Sequence, residues 1–147
     1  MSSFLRKGFT LVEIMVVIAV VIILITLALP NILRSRIVAN EGAALANMKV
    51  VNDACQAYHV NNQAYPDSLL SLAEPISNPP YIDSTLASGN KQGYQFTYVK
   101  VDADHFTLNA DSTHTGLLKG RSFYSDESQV VRFNSSGRAG LQDEIVR

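Results

Sequence analysis

The spacing of apolar positions changes twice along this chain. Residues 9–29 form an almost unbroken apolar run that contains only three polar side chains, those of Thr10, Glu13 and Thr26. At ~1.5 Å per residue, a helix of that length spans roughly 30 Å, which is the thickness of the hydrocarbon core of a bilayer. The run therefore predicts a membrane-spanning helix that carries one acid.

The residues after this run follow a different pattern, in which apolar side chains recur at spacings of three and four. The members of this stripe are Leu45, Met48, Val51, Cys55 and Tyr58. Such a stripe predicts an amphipathic helix whose apolar face packs against a soluble domain. Lys49, Asn52, Asp53 and Gln56 are expected to lie mainly on the other faces.

Two residues are expected to weaken the long helix. Pro30 removes a backbone hydrogen bond from a helix interior, and Gly42 costs about 1 kcal/mol relative to alanine. Because the helical pattern resumes directly after Pro30, we predict a kink there, with Gly42 as a second soft point. A segment of weakened helical order and a simple bend in a stable helix are both compatible with this pattern.

The C-terminal half alternates apolar and polar residues, which is typical of half-buried strands. The predicted strands are residues 94–99, 105–110, 121–124 and 130–133. Together they predict an antiparallel meander of three or four strands, with one face on the helical stripe. The predicted order is a membrane-spanning half-helix (9–31), an amphipathic half-helix (32–62), a connecting segment with a helical turn at 67–74 (63–93), a sheet (94–133) and a loosely held tail (134–147). The fold class is therefore α+β.

Composition limits the possible functions. The chain has 147 residues, 47% hydrophobic and 17% charged, which suits one modest domain plus a membrane segment. The formal net charge is −1 and no basic patch is visible, so we expect no nucleic-acid binding. The single cysteine, Cys55, excludes an intramolecular disulfide, and its place on the stripe predicts a buried apolar residue rather than a nucleophile.

Catalytic motifs are missing from the predicted C-terminal domain. The sequence contains no G-x-S-x-G, P-loop, H-E-x-x-H or cysteine pair. His59, His105 and His114 fall on a predicted helix, strand and loop without ligand spacing, so we do not expect them to share a metal. The acids at positions 102, 104, 126 and 127 lie in predicted turns, where Asp is favoured for backbone reasons.

The residues before the apolar run suggest a family. Residues 1–8 carry Arg6 and Lys7 and end in Gly8, which is followed directly by Phe9. The order G-F-T-L-V-E with an apolar helix behind it resembles the class III signal of type IV prepilins and type II secretion pseudopilins. In that family a membrane-bound prepilin peptidase cuts after the glycine and N-methylates the new terminal phenylalanine. The resemblance implies that residues 1–8 are a leader peptide, that Phe9 is methylated, and that the α+β fold is pilin-like.

Two other interpretations apply to the same segment. An ordinary secretory signal peptide would use Arg6 and Lys7 as its basic end and residues 26–28 as its cleavage site. However, the apolar segment is longer than usual, Pro30 follows the supposed cut, and Glu13 would interrupt the core. A plain single-span anchor explains the length of the run but explains neither the Gly8-Phe9 pair nor Glu13.

Cleavage after Gly8 would give Glu13 a counter-ion. The new α-amine on Phe9 would have a pKa near ~8 and be mostly cationic at neutral pH. Opposite charges attract far more strongly in a low-dielectric setting than in water. We therefore predict that Glu13 of one subunit meets the Phe9 amine of its neighbour and sets the register between helices, so that cleavage switches assembly on.

The resemblance also implies a role and a set of partners. It implies a homo-oligomeric filament subunit made in the bacterial inner membrane as a single-pass protein, with its C-terminal domain in the periplasm. The implied partners are prepilin peptidase, an inner-membrane assembly platform, minor pilins or pseudopilins, and the membrane. A membrane-anchored binding or enzymatic domain is the alternative class.

Within the filament class, several roles remain open. Many type IV pilins close a C-terminal loop with a cysteine pair, so the single cysteine favours a pseudopilin of type II secretion. Major pseudopilins hold calcium in a C-terminal loop, and the missing counterpart of that loop favours a major or minor type IV pilin (adhesion, motility or DNA uptake). We therefore expect no cofactor, with calcium as the alternative. Glu13 argues against the tip-most minor pseudopilin, which lacks this acid in the family.

Overall fold

A computed structural model describes residues 8–146 of the chain. The chain divides into two compact units, Met1–Ser35 and Arg36–Arg147, and we call the second unit the headpiece. A long helix, α1 (Leu11–Asn62), contributes its first part to the first unit and its second part to the headpiece. The predicted long N-terminal helix is thus confirmed.

Residues 9–29 of the first unit present an almost continuous apolar surface. Every residue from 8 to 32 is exposed, and among the described residues α1 is the one helix long and apolar enough to cross a membrane. Pro30 lies inside α1, and the kink predicted there stays a prediction. A side chain added at Gly42 would meet nothing within 4 Å, so packing does not require glycine at that position. Its role as a soft point also stays a prediction.

The headpiece contains one six-stranded antiparallel sheet, in which the strands follow their sequence order. The strands are β1 (Asn90–Lys91), β2 (Tyr94–Lys100), β3 (Phe106–Ser112), β4 (Ser122–Asp126), β5 (Arg132–Asn134) and β6 (Glu144–Ile145). The described part also contains the helix α2 (Ser84–Ala87) and 3₁₀ turns at Leu69–Leu72 and Gly116–Leu118. The α+β class and the antiparallel sheet are confirmed.

The expected count of three or four strands is wrong, because β1 and β6 add an edge strand on each side. Each has only two residues, which is too short to show an alternating pattern. The expectation of a loosely held tail is also wrong. Ala139 is buried, and its backbone accepts a hydrogen bond from Asn109 Nδ2 (2.8 Å) and donates one to Ser122 Oγ (3.0 Å).

The connecting segment is more structured than predicted. The helical turn expected at residues 67–74 is a 3₁₀ turn that buries Leu69 and Leu72. Helix α2 follows later in the connecting segment, for which a helical turn only at residues 67–74 was predicted, and the Asp83 carboxylate caps it by accepting the Leu86 N–H at 2.9 Å. An N-cap acid can therefore start a helical turn even where no apolar periodicity marks it.

The core lies between the second part of α1 and one face of the sheet. Met48, Val51 and Cys55 are fully buried, while Leu45 and Tyr58 are partly buried, which confirms the predicted stripe. The largest buried side chains facing them are Tyr94, Phe106, Leu108 and Phe123. Cys55 is buried, as predicted, and this burial raises the pKa of its thiol to about 12, which favours the protonated form.

Asn52 departs from the prediction that it would lie on another face. Its side chain is 2% exposed, and its Nδ2 donates to Ser125 Oγ at 2.8 Å. The neighbouring Gln56 donates to Tyr65 Oη at 2.8 Å and to the Glu127 carbonyl at 3.3 Å. The end of β4 and the turn after it therefore lie against α1 and offer polar partners to residues of the helix.

A buried ion pair anchors α1 to the sheet. The Glu41 carboxylate, which is 8% exposed, accepts bonds from the Arg121 backbone N–H (2.8 Å), Nε (3.0 Å) and Nη2 (2.9 Å). The same guanidinium lies 4.8 Å from the centroid of the Phe133 ring. Removing one partner of such a pair leaves the other charge partly buried and uncompensated, which is costly.

We expect Glu41→Gln to destabilise the headpiece by about 2 kcal/mol, a value reduced from that of a fully buried pair because Arg121 is partly exposed. Urea unfolding of the full chain in detergent, followed by circular dichroism, measures this change. Lys91→Ala is the matched control, since it breaks the exposed pair with Asp83 (2.7 Å) and should cost about 0–1 kcal/mol. Equal losses in the two variants would contradict a special role for Glu41.

Two histidines, His59 at the end of α1 and His105 in the β2–β3 turn, lie within hydrogen-bond distance of acidic side chains. His59 Nε2 lies 3.1 Å from Asp104 Oδ1, and His105 Nδ1 lies 2.8 Å from Asp102 Oδ1. Asp102 also accepts the Asp104 backbone N–H, which is the turn role expected of it. The hydrogen bond that His105 donates to the Asp102 carboxylate, and the negative charge of that carboxylate, raise the pKa of His105. The pKa of Asp102 is lowered by the Asp104 N–H and by His105.

The His105–Asp102 pair should stabilise the fold in a limited pH range. A raised histidine pKa gives stability that is present below the ordinary value of 6.5 and is lost as pH rises through the folded value. The lowered pKa of Asp102 gives stability that is lost only in acid, below its ordinary value of 3.8. His105→Gln should therefore lower the thermal midpoint more at about pH 5.5 than at about pH 8. A loss that is the same at both pH values would contradict this assignment.

Candidate processing and assembly site

Thr10 and Glu13 close the start of α1 through reciprocal hydrogen bonds. The Glu13 N–H donates to Thr10 Oγ1 at 3.2 Å, while the Thr10 N–H and Oγ1–H both donate to Glu13 Oε2 at 2.9 Å. This is a capping box, with threonine at the N-cap and an acid three residues later. Glu13 thus has a partner in its own chain, which our sequence analysis missed although the T-x-x-E spacing signals it.

The second oxygen of this carboxylate is available. Within residues 8–146, Glu13 Oε1 accepts no hydrogen bond, and the residue is exposed. The first turn of a helix also favours negative charge, because its backbone N–H groups point towards its N-terminal end. One carboxylate oxygen of Glu13 is therefore used in the capping box. Among the described residues the other oxygen has no donor, so it can accept a hydrogen bond from another molecule.

Gly8 and Phe9 lie just before the helix, at the start of the described residues. Both are exposed and lie outside regular structure, and Phe9 is 82% exposed. A side chain added at Gly8 would meet nothing within 4 Å, so contacts with the described residues do not require glycine there. The remainder of the predicted leader, residues 1–7, lies outside the described residues. The bond between Gly8 and Phe9 has the exposed, irregular setting that proteolysis favours.

Cleavage at this bond would keep the capping box, because Thr10 and Glu13 both follow it. The new amine of Phe9 would lie at the N-terminal end of α1, where the helix dipole disfavours a positive charge. Glu13 is the acid in the first turn, so a carboxylate lies at the same end of the helix as this amine. The other polar residue of the run, Thr26, is satisfied within the helix, since its hydroxyl donates to the Ile22 carbonyl at 2.8 Å.

Within its described residues, the headpiece does not bring its histidines and turn acids together at one point. His59 and His105 lie near the β2–β3 turn, whereas His114 lies beside Gly93, so these three histidines do not converge. Within residues 8–146, no three His, Cys, Asp or Glu side chains are grouped so as to hold a metal ion. Asp126 accepts the Ser128 backbone N–H at 3.0 Å, which is the turn role expected of it. The calcium alternative stays a prediction.

Comparison with known proteins identifies the family to which this chain belongs. The model of the prokaryotic N-terminal methylation motif matches residues 4–29. The type II secretion system core protein G of Vibrio cholerae is 30% identical over 124 residues, which cover 76% of this chain and 85% of that protein. The chain belongs to the type IV pilin and type II secretion pseudopilin family. The resemblance seen at Gly8, Phe9 and Glu13 is therefore confirmed.

Other relatives fall on both branches of the family. Core protein G of Escherichia coli is 33% identical over 89 residues, 60% of this chain and 61% of that protein. The type IV wide pilus major component PilA4 of Thermus thermophilus is 31% identical over 91 residues, 60% of this chain and 69% of that protein. The chain spans about half to three fifths of the length of several core protein G relatives. Family membership and the exposed apolar helix together fit a membrane-anchored, pilus-like assembly.

We expect Thr10→Val to weaken the start of α1 by ~1 kcal/mol, because it removes both hydroxyl bonds of the capping box. Amide hydrogen exchange at Glu13, measured on the full chain in detergent, should accelerate about five-fold. Thr26→Val is the matched control, since it removes a hydroxyl from the same helix without touching the cap, and should leave this rate unchanged. A Glu13 rate that Thr10→Val does not change would show that the capping box adds no stability.

Proposed function

We propose that this chain is a structural subunit of a type IV pilus-like filament, most closely a pseudopilin of type II secretion. It is made as a single-pass precursor in the bacterial inner membrane with the headpiece in the periplasm. Prepilin peptidase then cuts between Gly8 and Phe9 and methylates Phe9. The observation that carries the proposal is the exposed apolar first half of α1 with a pre-positioned acid, Glu13, at its start.

The apolar half-helix supports assembly through packing. Its side chains are exposed in the single chain, and such a surface is stable only in lipid or against other apolar surfaces. Moving a helix from lipid into a bundle of identical helices exposes little new apolar surface to water. The membrane therefore acts as a reservoir of subunits that a filament can draw on.

Glu13 fixes the register in which neighbouring helices pack. Its Oε2 is held by Thr10, and its Oε1 accepts the Phe9 amine of the neighbouring subunit once cleavage has created that amine. An ion pair of this kind is strong in a low-dielectric core but penalised heavily if one partner is missing. Subunits in the wrong register, and uncleaved subunits, would therefore be excluded.

Similarity to core protein G supports the choice of a type II secretion pseudopilin over a type IV pilin. Core protein G relatives from several bacteria belong to type II secretion, and the single cysteine rules out the C-terminal cysteine pair of many type IV pilins. A type IV pilin is the second candidate, favoured by the likeness to PilA4 of Thermus thermophilus and to the competence protein ComGC of Halalkalibacterium halodurans. In either case the role is structural rather than enzymatic and needs no cofactor. The proposed partners are the assembly platform and minor pseudopilins or pilins.

Mass spectrometry and filament yield test the proposal together. The mature chain should begin at N-methylated Phe9 when prepilin peptidase is present, and Gly8→Leu should abolish this processing. Glu13→Gln should be processed normally but reduce filament yield at least about ten-fold, because the charge needed for the ion pair is lost. Glutamine can still accept the Thr10 N–H, so this variant separates the ion pair from the capping box.

Three results would contradict this proposal. A mature chain that begins elsewhere than at Phe9 would overturn the proposed processing. Glu13→Gln filaments formed at the wild-type yield would overturn the proposed ion pair. If cells that express the wild-type chain together with prepilin peptidase and an assembly platform formed no filaments, the structural role itself would be wrong.

A further inference from the structure

Helix α1 begins at Leu11, so Phe9 and Thr10 separate its first turn from the bond between Gly8 and Phe9. The apolar pattern does not explain this boundary, because the apolar run already starts at Phe9. A helix that extends backwards satisfies additional N–H groups, and in lipid such groups are costly to leave without an acceptor. A feature other than hydrophobicity therefore fixes the start of the helix.

The hydroxyl group of Thr10 has the bonds that fix this start. Oγ1 accepts the Glu13 backbone N–H at 3.2 Å and donates to Glu13 Oε2 at 2.9 Å, and the Thr10 N–H donates to the same Oε2 at 2.9 Å. An N-cap residue has non-helical backbone angles, which bring its side chain over the N–H group of a residue in the first turn. Thr10 accordingly lies outside regular structure although the helix starts at the next residue.

This cap leaves the carbonyl of the proposed cleavage site without an intrahelical donor. If the helix extended backwards, the Glu13 N–H would donate to the Phe9 carbonyl and the Val12 N–H to the Gly8 carbonyl. Instead, the Glu13 N–H is used by Thr10 Oγ1, and within residues 8–146 the Gly8 carbonyl accepts no backbone hydrogen bond. Because a peptidase acts on this carbonyl, the bond can be reached without first unwinding a helical turn.

We propose that Thr10 is a positioning residue for processing, because its cap keeps the Gly8–Phe9 bond outside α1 and available to prepilin peptidase. This inference rests on the proposed cleavage after Gly8 and deepens it. Without the cap, the first turn can extend backwards or fray, and in both cases fewer precursors present the bond as the wild-type chain does. A smaller competent fraction raises the KM for the precursor, whereas the rate of cleavage in the bound complex stays the same.

Cleavage of the full-length precursor by purified prepilin peptidase in detergent, followed by mass spectrometry, tests this role. Valine has nearly the shape of threonine but cannot cap, so Thr10→Val should raise KM about five-fold and leave kcat within about two-fold. Thr26→Val is the matched control, since it removes a hydroxyl that bonds the Ile22 carbonyl of the same helix, away from the cleavage site. This control should leave both constants unchanged.

Two further variants separate capping from direct recognition of Thr10 by the peptidase. Serine and asparagine are both good N-cap residues, and asparagine differs from threonine in shape more than valine does. We therefore expect Thr10→Ser and Thr10→Asn to bring KM within about two-fold of the wild-type value and to keep slow amide exchange at Glu13. Glu13→Gln should also be cleaved like the wild type, because the bond to Thr10 Oγ1 comes from the backbone of residue 13.

A wild-type KM in Thr10→Val would overturn the positioning role. The role would also be overturned if Thr10→Asn protected the Glu13 amide but was cleaved as poorly as Thr10→Val, since that result assigns Thr10 to a direct contact with the peptidase. Failure of the proposed processing gives a different result, in which the wild-type chain itself is not cleaved after Gly8. Equal cleavage of all variants after Gly8 would leave the processing intact and remove only the role of Thr10.

Discussion

The reciprocal bonding of Thr10 and Glu13 is the constraint on which the N-terminal half of this protein depends. A carboxylate in a membrane-spanning helix costs on the order of 3 kcal/mol on insertion scales. Placing it in the first turn lets it accept two hydrogen bonds that the helix start would otherwise leave unmade. One acid is therefore tolerated in an otherwise apolar run, and within residues 8–146 its Oε1 accepts no hydrogen bond, which suits the proposed pairing with a cation.

The second half of α1 is anchored by an acid as well. Glu41 is the first buried side chain along the helix, and three donors of Arg121 hold it. Asn47, Met48 and the residues that follow then pack against the headpiece. The two halves of one helix thus serve two environments. Each half is positioned by a carboxylate, Glu13 through bonds within the start of the helix and Glu41 through Arg121, 80 positions later.

Periodicity and local signals were sufficient to predict much of this structure. The apolar run and the stripe through Met48, Val51 and Cys55 predicted α1, and alternation predicted the central strands β2 and β3. Features that depend on residues distant in sequence were missed. Asn52 is buried because Ser125, 73 positions later, offers it a partner, and the tail is held by Asn109 through Ala139. Strands of two residues, such as β6, carry no pattern of their own. The local partner of Glu13 was missed for a different reason: we considered only a charged partner in another chain.

The groups that the single chain leaves unsatisfied help to separate a filament subunit from an anchored enzyme. An anchor needs no acid in its apolar segment, and a self-sufficient domain has little reason to bury an amide with an unpaired atom, which costs about 1–3 kcal/mol. Within the described residues both features occur, an exposed acid (Glu13) at the start of the apolar run and a buried Asn52 whose Oδ1 accepts no hydrogen bond. The exposed apolar half of α1 is stable only in lipid or against other apolar surfaces, and Glu13 is the feature that distinguishes it from a plain anchor.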